Sequence, residues 1–394
     1  MTLVRRAAAA VAATLFAYTA LTALPAMAAG QVEPPPPGYR PALNTPEGGL
    51  WALMDKVEEQ MKVSPALVKD EALNAYVKGI VCKLAADQCP TMRLYIVDDP
   101  DSNAMTAPNG MIIVWTGLLL RAQNEAELAF VLGHEITHYL KRHSVLNFEH
   151  ATNAAGRVAF LSTATLGLAA LPAALIAIGG IASYSRDQER EADEGGFNLV
   201  VANGYDPRQG AAFMANTGEE QDANPNRTKP SAFLSSHPAT KERLATLTKR
   251  ASEIEEQKRT TVVATDEYRK VIGPHRAAWL EEDFNRGDYL QSVAMIKQLV
   301  KIEPDSAELQ YFLGEAYRRR NGKGDVESAT AAYQAAIASM GAPNAAYRGL
   351  GLTALKAGQK EAARDAFQKY LSLEPDAKDR AIVEYYLMSV GGAP

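Results

Sequence analysis

The sequence predicts an α+β protein that is mostly helical: a domain with a small sheet among helices, followed by an all-α solenoid of helical repeats. Three observations carry this prediction. Apolar residues recur at helical spacing over most of the chain. One short region, "RLYIVDD" through "NAMTAPNGMIIVWTGLL", reads as strands instead. The C-terminal part repeats a pattern of small and aromatic residues. A length of 394 residues is enough for two or three domains. A net charge of −5 provides no basic footprint, which excludes nucleic acid as a partner class.

The elements follow in order. "MTLVRR" is a basic leading segment, "AAAAVAATLFAYTALTAL" an apolar core, and "PAMAA" an A-x-A cleavage site ending at Ala28. Residues 1–28 therefore read as an export signal, and the protein as periplasmic. The alternative is a retained membrane anchor; the alanine-rich run ending in small residues favours cleavage. Export makes Cys82 and Cys89, seven apart in "VCKLAADQCP", a candidate short-loop disulfide. Residues 29–49 are rich in proline and glycine and read as a flexible leader. "LWALMDKVEEQMKV" and "PALVKDEALNAYVKGIVCKL" carry helical periodicity.

After the strand "RLYIVDD", Asn109-Gly110 separates residues 104–107 from 111–116 as a hairpin turn would. Asn124, with Glu127 three residues on, opens a helix through a capping-box variant. A second helix runs from near Ser185 to Asn203 and stops at Gly204. "YDPRQG" opens another, with Asp206 as cap and Pro207 in the first turn. "EEQDANPNRTKPSAF" lacks periodicity and reads as a mobile loop.

From about Glu253 the chain is helical and repetitive. In "AAYRGLGLTALKAGQKEAARDAFQKYLSLEPD", Tyr347, Leu350, Gly351, Ala354, Ala363, Phe367 and Pro375 fall on tetratricopeptide-repeat spacing. Leu313, Gly314, Tyr317, Ala329, Tyr333 and Ala336 form a copy before it, and "GDYLQSVAMIKQLVKIEPD" the second half of an earlier one. Each helix pair leaves an apolar face that only stacking covers, so residues 253–394 read as a cluster of about three repeats. Such solenoids bind peptides or partner proteins.

The chemistry sits earlier, in residues 50–252. Residues i and i+4 of a helix share a face, so His134 and His138 of "VLGHEITHYL" can present both imidazoles to one ion. Glu135 lies about 100° further round, within reach of a metal-bound water without ligating the metal. Zinc takes two histidines and a carboxylate in many hydrolytic sites and leaves a fourth position for water. It lowers that water's pKa to about 7, where a nearby carboxylate takes the proton. HExxH also occurs by chance, but "AFVLGHEITHYL" is uncharged outside the motif, which suits a buried ligand helix. His143 and His150 read as basic residues at a helix C-terminus rather than ligands. For the third ligand, "SYSRDQEREADEGG" offers Asp187, Glu189, Glu191, Asp193 and Glu194. Glu189 and Asp193 share a face, so one can ligate while the other supports an imidazole. Glu191 points away from that face.

"HEITH" followed by "SRDQEREAD" resembles the membrane-associated zinc peptidases of the HtpX and CAAX prenyl protease family, most nearly its periplasmic, BepA-like members with C-terminal tetratricopeptide repeats. The resemblance covers roughly residues 50–248. It implies one zinc ion per chain held by His134, His138 and Glu189, with Asp193 as the partner of Glu189. It also implies that "NAMTAPNGMIIVWTGLL" supplies an edge strand that aligns a substrate peptide. "SSHPATKERL" resembles the family's downstream HP…R element, which makes His237 a fourth ligand in a closed resting state and Arg243 a substrate or transition-state contact.

Residues 158–182, uncharged and long enough to span a bilayer, lie between the histidines and Glu189. One span would put His138 and Glu189 on opposite sides of a roughly 30 Å layer, where they could not share an ion with bonds of about 2 Å. Two spans need about 40 apolar residues. Pro172 and Gly179-Gly180 suggest a broken helical hairpin, packed on the domain or touching a membrane surface. The resulting expectation is a periplasmic zinc endopeptidase acting on unfolded or misassembled envelope proteins, with repeats that bind substrate or partner proteins. The alternative is a gated, nearly inactive zinc domain that works as a protein-binding module.

Overall fold

The computed structural model describes residues 33–150, 184–227, 232–237, 241–255 and 261–391. Residues 1–28, read above as an export signal, and the apolar segment 158–182 lie outside them. Residues 1–34 form a unit of their own, of which only Glu33 and Pro34 are described; every described helix and strand belongs to the unit from Pro35 onward.

Helix α1 (Pro46–Lys62) starts where the Thr45 side chain accepts from Gly48 N–H and Pro46 takes the first helical position. Helix α2 (Glu71–Ala85) is capped by Asp70, which accepts from Leu73 N–H. A disulfide between Cys82 and Cys89 then ties its last turn to the chain leading into the sheet. Strands β1 (Arg93–Val97), β2 (Ala104–Thr106) and β3 (Met111–Trp115) form the sheet. β3 is central, parallel to β1 and antiparallel to β2. The hairpin at Asn109-Gly110 is present, with Gly110 at φ +84°.

All of β3 is buried, and its alternation sends side chains to two different cores. Ile112 and Val114 join Leu73 and Val77 of α2 and Leu128 and Leu132 of the histidine helix. Met111, Ile113 and Trp115 face Leu50, Met54 and Val57 of α1. The sheet is thus sandwiched, with the histidine helix under one face.

The leader is not free where it is described. Pro35 is buried, and its carbonyl accepts from Gln88 Nε2 at 2.7 Å. Tyr39 packs edge-on against Trp51 and donates to Glu47 Oε2 at 3.0 Å. These anchors come from residues ahead in the chain, so local composition gave no sign of them.

Helix α3 (Thr116–Arg121) leads into α4 (Glu125–Leu140) and α5 (His143–His150). Helices α6 (Arg186–Ala202), α7 (Arg208–Asp222), α8 (Ala232–Ser236) and α9 (Lys241–Glu255) follow. α6 ends as expected, with Gly204 at φ +77°. α7 begins one residue after Pro207, and Asp206 accepts from Arg208 N–H at 2.9 Å.

The acidic start of "EEQDANPNRTKPSAF" is not loop: α7 continues to Asp222. Glu220 stays in the helix because Arg121 of α3 neutralises it in the interior, Nη2 to Oε1 at 2.8 Å. Asn224 donates to Asp288 at 2.9 Å, and Arg227 is hydrogen-bonded to Gln291, so the following turn is also tied down.

Helix α10 (Thr265–Asn285) opens the C-terminal array. It is followed by α11 (Tyr289–Ile302), α12 (Ala307–Arg320), α13 (Asp325–Ala338), α14 (Ala345–Lys356), α15 (Lys360–Leu373) and α16 (Arg380–Ser389). The small-and-aromatic pattern has a packing cause. The Tyr333 ring lies against both Gly314 and Gly349, and Phe367 against Gly351, at distances no added Cβ would tolerate. α10 also packs on the helices before the array: Tyr268 donates to Leu119 O at 2.6 Å, and Arg121 pairs with Asp283 at 2.7 Å. Among the described residues no helix is long and apolar enough to cross a membrane.

Candidate metal centre

Helix α4 starts as its sequence predicts, with Asn124 Oδ1 accepting from Glu127 N–H at 2.9 Å. The return bond reaches one residue further back than in a standard capping box: Glu127 Oε2 accepts from Gln123 N–H at 2.8 Å. From there the helix is buried through Tyr139, so both histidines face the interior.

α6 meets α4 backbone to backbone. A Cβ on Gly196 would lie 2.8 Å from His134 N, and one on Gly133 would lie 3.2 Å from Gly196 Cα. This close crossing brings Glu189 and Asp193, about two turns and one turn before Gly196, beside the two imidazoles. Gly196→Ala is expected to force the helices apart, costing about 1–3 kcal/mol and making zinc easier to strip. Denaturant unfolding and chelator competition check this; wild-type behaviour in both would show that the close crossing is dispensable.

The donor atoms converge. His134 Nε2 and His138 Nε2 are 3.0 Å apart. Glu189 Oε1 is 3.5 Å from His138 Nε2, and Glu189 Oε2 is 3.7 Å from His134 Nε2. His237, following α8, brings Nδ1 to 3.1 Å from His134 Nε2 and 2.9 Å from Glu189 Oε1. Ligand atoms of all four residues lie within 4.8 Å of one another, and all four are buried. Among the described residues no other group of three or more such side chains converges in this way.

The donor set fits zinc. His134 Nδ1 is 3.1 Å from Asp193 Oδ1, which places the ring proton on Nδ1 and leaves a lone pair on Nε2. Two imidazole nitrogens and a carboxylate aimed into one buried volume repel one another unless a cation lies between them. Nitrogen and carboxylate oxygen are the ligands of catalytic zinc.

Arg243 organises the carboxylates. Its Nε and Nη2 bind Asp193 Oδ2 and Oδ1 at 2.6 and 2.7 Å, and Nη1 is 2.6 Å from Glu189 Oε2. Burial pushes the Asp193 carboxyl up, but Arg243 and His134 outweigh it and hold it below the usual range. Glu189 is likewise held well below that range against its burial, by His138 and His237. With its guanidinium committed to two carboxylates and only 5% exposed, Arg243 is placed to hold ligands rather than to reach a substrate.

Glu135 is outside the ligand group. Its Oε2 accepts from Thr106 N–H of β2 at 3.1 Å, and its Oε1 lies 3.2 Å from His237 Nε2. Burial raises its carboxyl above the usual range.

Sequence reasoning missed the surroundings of His138. His143 does not serve a helix C-terminus. It is buried at the start of α5, with Nδ1 2.8 Å from His138 Nδ1 and Nε2 3.2 Å from Glu191 Oε2. Glu191 stays out of the ligand group, as its angle on the helix suggests, yet meets this second histidine. Tyr184 stacks on the His138 ring, centroids 3.6 Å apart, and its hydroxyl is 2.9 Å from Ser144 Oγ. The chain folds back because α4 ends and Arg142 takes a left-handed φ of +56°. No periodicity carries through such a break.

An HExxH helix, a glutamate from a second helix and a small sheet alongside define a metallopeptidase type of centre. The family comparison agrees. Residues 67–251 match peptidase family M48, and residues 278–343 and 322–381 match the tetratricopeptide repeat. The chain therefore carries a domain that matches peptidase family M48, with tetratricopeptide repeats C-terminal to it.

It is 28% identical over 210 residues to a putative beta-barrel assembly-enhancing protease of Vibrio cholerae, covering 50% of this chain and 43% of the relative. It is 25% identical over 255 residues to the beta-barrel assembly-enhancing protease of Escherichia coli K12, covering 59% and 52%. Mitochondrial metalloendopeptidase OMA1 of Schizosaccharomyces pombe is 34% identical over 153 residues, covering 38% and 44%. The chain thus spans about half the length of the curated relatives it matches.

Proposed function

We propose that this protein is a zinc-dependent endopeptidase of the periplasm that acts on unfolded or misassembled envelope proteins. The observation that carries the reading is the convergence of His134, His138 and Glu189, with Glu135 beside them but free of the ligand group. Bound zinc supplies Lewis-acid polarisation of the scissile carbonyl and acidifies the attacking water. The protein supplies the rest. Glu135 takes the water's proton through Oε1 and delivers it to the leaving amine. Its other oxygen is pinned by Thr106 N–H, so the base is fixed relative to β2, the strand at the edge of the sheet. A substrate running along β2 would present its peptide bond to a base of fixed position.

The substrate class and compartment rest on two supports: the export signal read from residues 1–28, and relatives named for enhancing beta-barrel assembly. The repeats are assigned the binding of substrate or partner proteins, the usual work of such solenoids.

A second reading, a gated domain whose main work is protein binding, is favoured by His237. Its Nδ1 faces the ligand atoms while its Nε2 faces Glu135, so one imidazole fills the place of both water and substrate carbonyl. Hydrogen bonds to charged groups are worth about 1.5–3 kcal/mol, so releasing one is expected to raise the open fraction about tenfold. His237→Ala should therefore cleave a denatured protein about tenfold faster than wild type while retaining zinc. Cleavage by neither protein, with zinc bound in both, would support the binding-module reading.

A further inference from the structure

We propose that His143 and Glu191 form a relay that positions His138 as a metal ligand, the counterpart of the Asp193–Arg243 pair behind His134. The inference rests on the zinc reading above.

The proton placement is self-consistent along the whole chain of groups. A histidine that ligates through Nε2 carries its proton on Nδ1 and needs an acceptor there. For His138 that acceptor is His143 Nδ1, at 2.8 Å. Accepting on Nδ1 puts the His143 proton on Nε2, which donates to Glu191 Oε2 at 3.2 Å. Each nitrogen thus has one role, and the negative charge of Glu191 reaches the metal side through two neutral imidazoles. The His134 side has the same logic with one link fewer: Nδ1 donates to Asp193, whose carboxylate is held by Arg243.

Packing fixes the ring. Tyr184 stacks on one face of His138, 15° from parallel, and is tethered through Ser144 next to His143. His143 itself is 2% exposed, so water does not replace it as the acceptor. Its position depends on the left-handed Arg142, which turns the chain after α4 back toward the ligand helix. Two buried histidines at hydrogen-bond distance, one ending on a carboxylate, are costly in a core unless each proton has a place to go. Here each one does.

The experiment is zinc affinity of the full-length protein, measured by competition with a chromophoric chelator at fixed pH. Outer partners of ligating histidines typically account for about 10- to 100-fold in metal affinity, and His143→Ala should lose that much. His143→Asn keeps an acceptor oxygen near the same place and should recover most of the loss. Glu191→Gln keeps His143 but removes the charge at the half-exposed end, for a smaller loss of about threefold. Thermal unfolding of the metal-free proteins separates positioning from packing. Wild-type zinc affinity in His143→Ala overturns the inference while the zinc reading stands. Equal losses in Ala and Asn variants, each with a lowered metal-free unfolding temperature, also overturn it, because His143 would then be a packing residue. A wild-type protein that retains no zinc overturns the zinc reading and the relay with it.

Discussion

Replacing Glu135 with Gln is expected to slow cleavage of a denatured protein by about 10²- to 10⁴-fold while zinc content stays at the wild-type level. Glu135 lies outside the converging ligand set, so the metal has no direct stake in its charge. The amide preserves the shape and an oxygen for Thr106 N–H, so the buried helix keeps its packing. What is lost is the only property that matters to the step, an oxygen that can take a proton. Cleavage at the wild-type rate by a zinc-loaded variant would remove Glu135 from the mechanism. Loss of zinc together with activity would instead make it part of the metal site.

The second large effect is on stability. Arg121 is buried and binds Glu220 of α7 through Nε and Nη2, and Asp283 of α10 through Nη2. It also donates to the carbonyls of Pro100 and Gly117. Arg121→Ala leaves Glu220 without its buried cation and is expected to cost about 3–5 kcal/mol in denaturant unfolding. Asp283 retains Arg286 at 2.9 Å and Ser292 at 2.6 Å, so Glu220 bears most of the loss.

Acid sensitivity provides an independent check. Burial pushes Asp283 up, but Arg121 and Arg286 outweigh it and hold its carboxyl below the usual range. A depressed native value stabilises the fold above the unfolded carboxylate pKa of about 3.9, and that contribution disappears as pH falls through the native value. Without Arg121 the native value rises, so the acid-side loss should begin at higher pH than in wild type. An unchanged acid limb would show that Arg286 alone sets the state of Asp283.

This ion network also shows where sequence reading runs out. "EEQD" looks like loop because its charges have no partner within a helical turn. Glu220 finds one 99 residues earlier, at Arg121, and periodicity has no access to such a pairing. The leader misleads for the same reason, since Pro35 and Tyr39 are held by Gln88, Glu47 and Trp51. Much of the site was legible. His134, His138 and Glu135 follow from helical geometry, and the shared face of Glu189 and Asp193 from the same i, i+4 rule; the choice of Glu189 as ligand came from the resemblance. The roles of His237 and Arg243 came from resemblance alone.

The sequence by itself determined the elements whose cause is local. The cap at Asn124, the Asn109-Gly110 turn and the small-and-aromatic repeat pattern each act within a few residues or a fixed period. Only the tertiary structure decided which histidine stands behind which ligand. His143 reaches His138 through the left-handed turn at Arg142, and His237 arrives from 103 residues beyond His134. The physical reason is range. A helix writes its faces into every third and fourth residue, whereas the close crossing at Gly133 and Gly196 exists only once both helices are folded against each other.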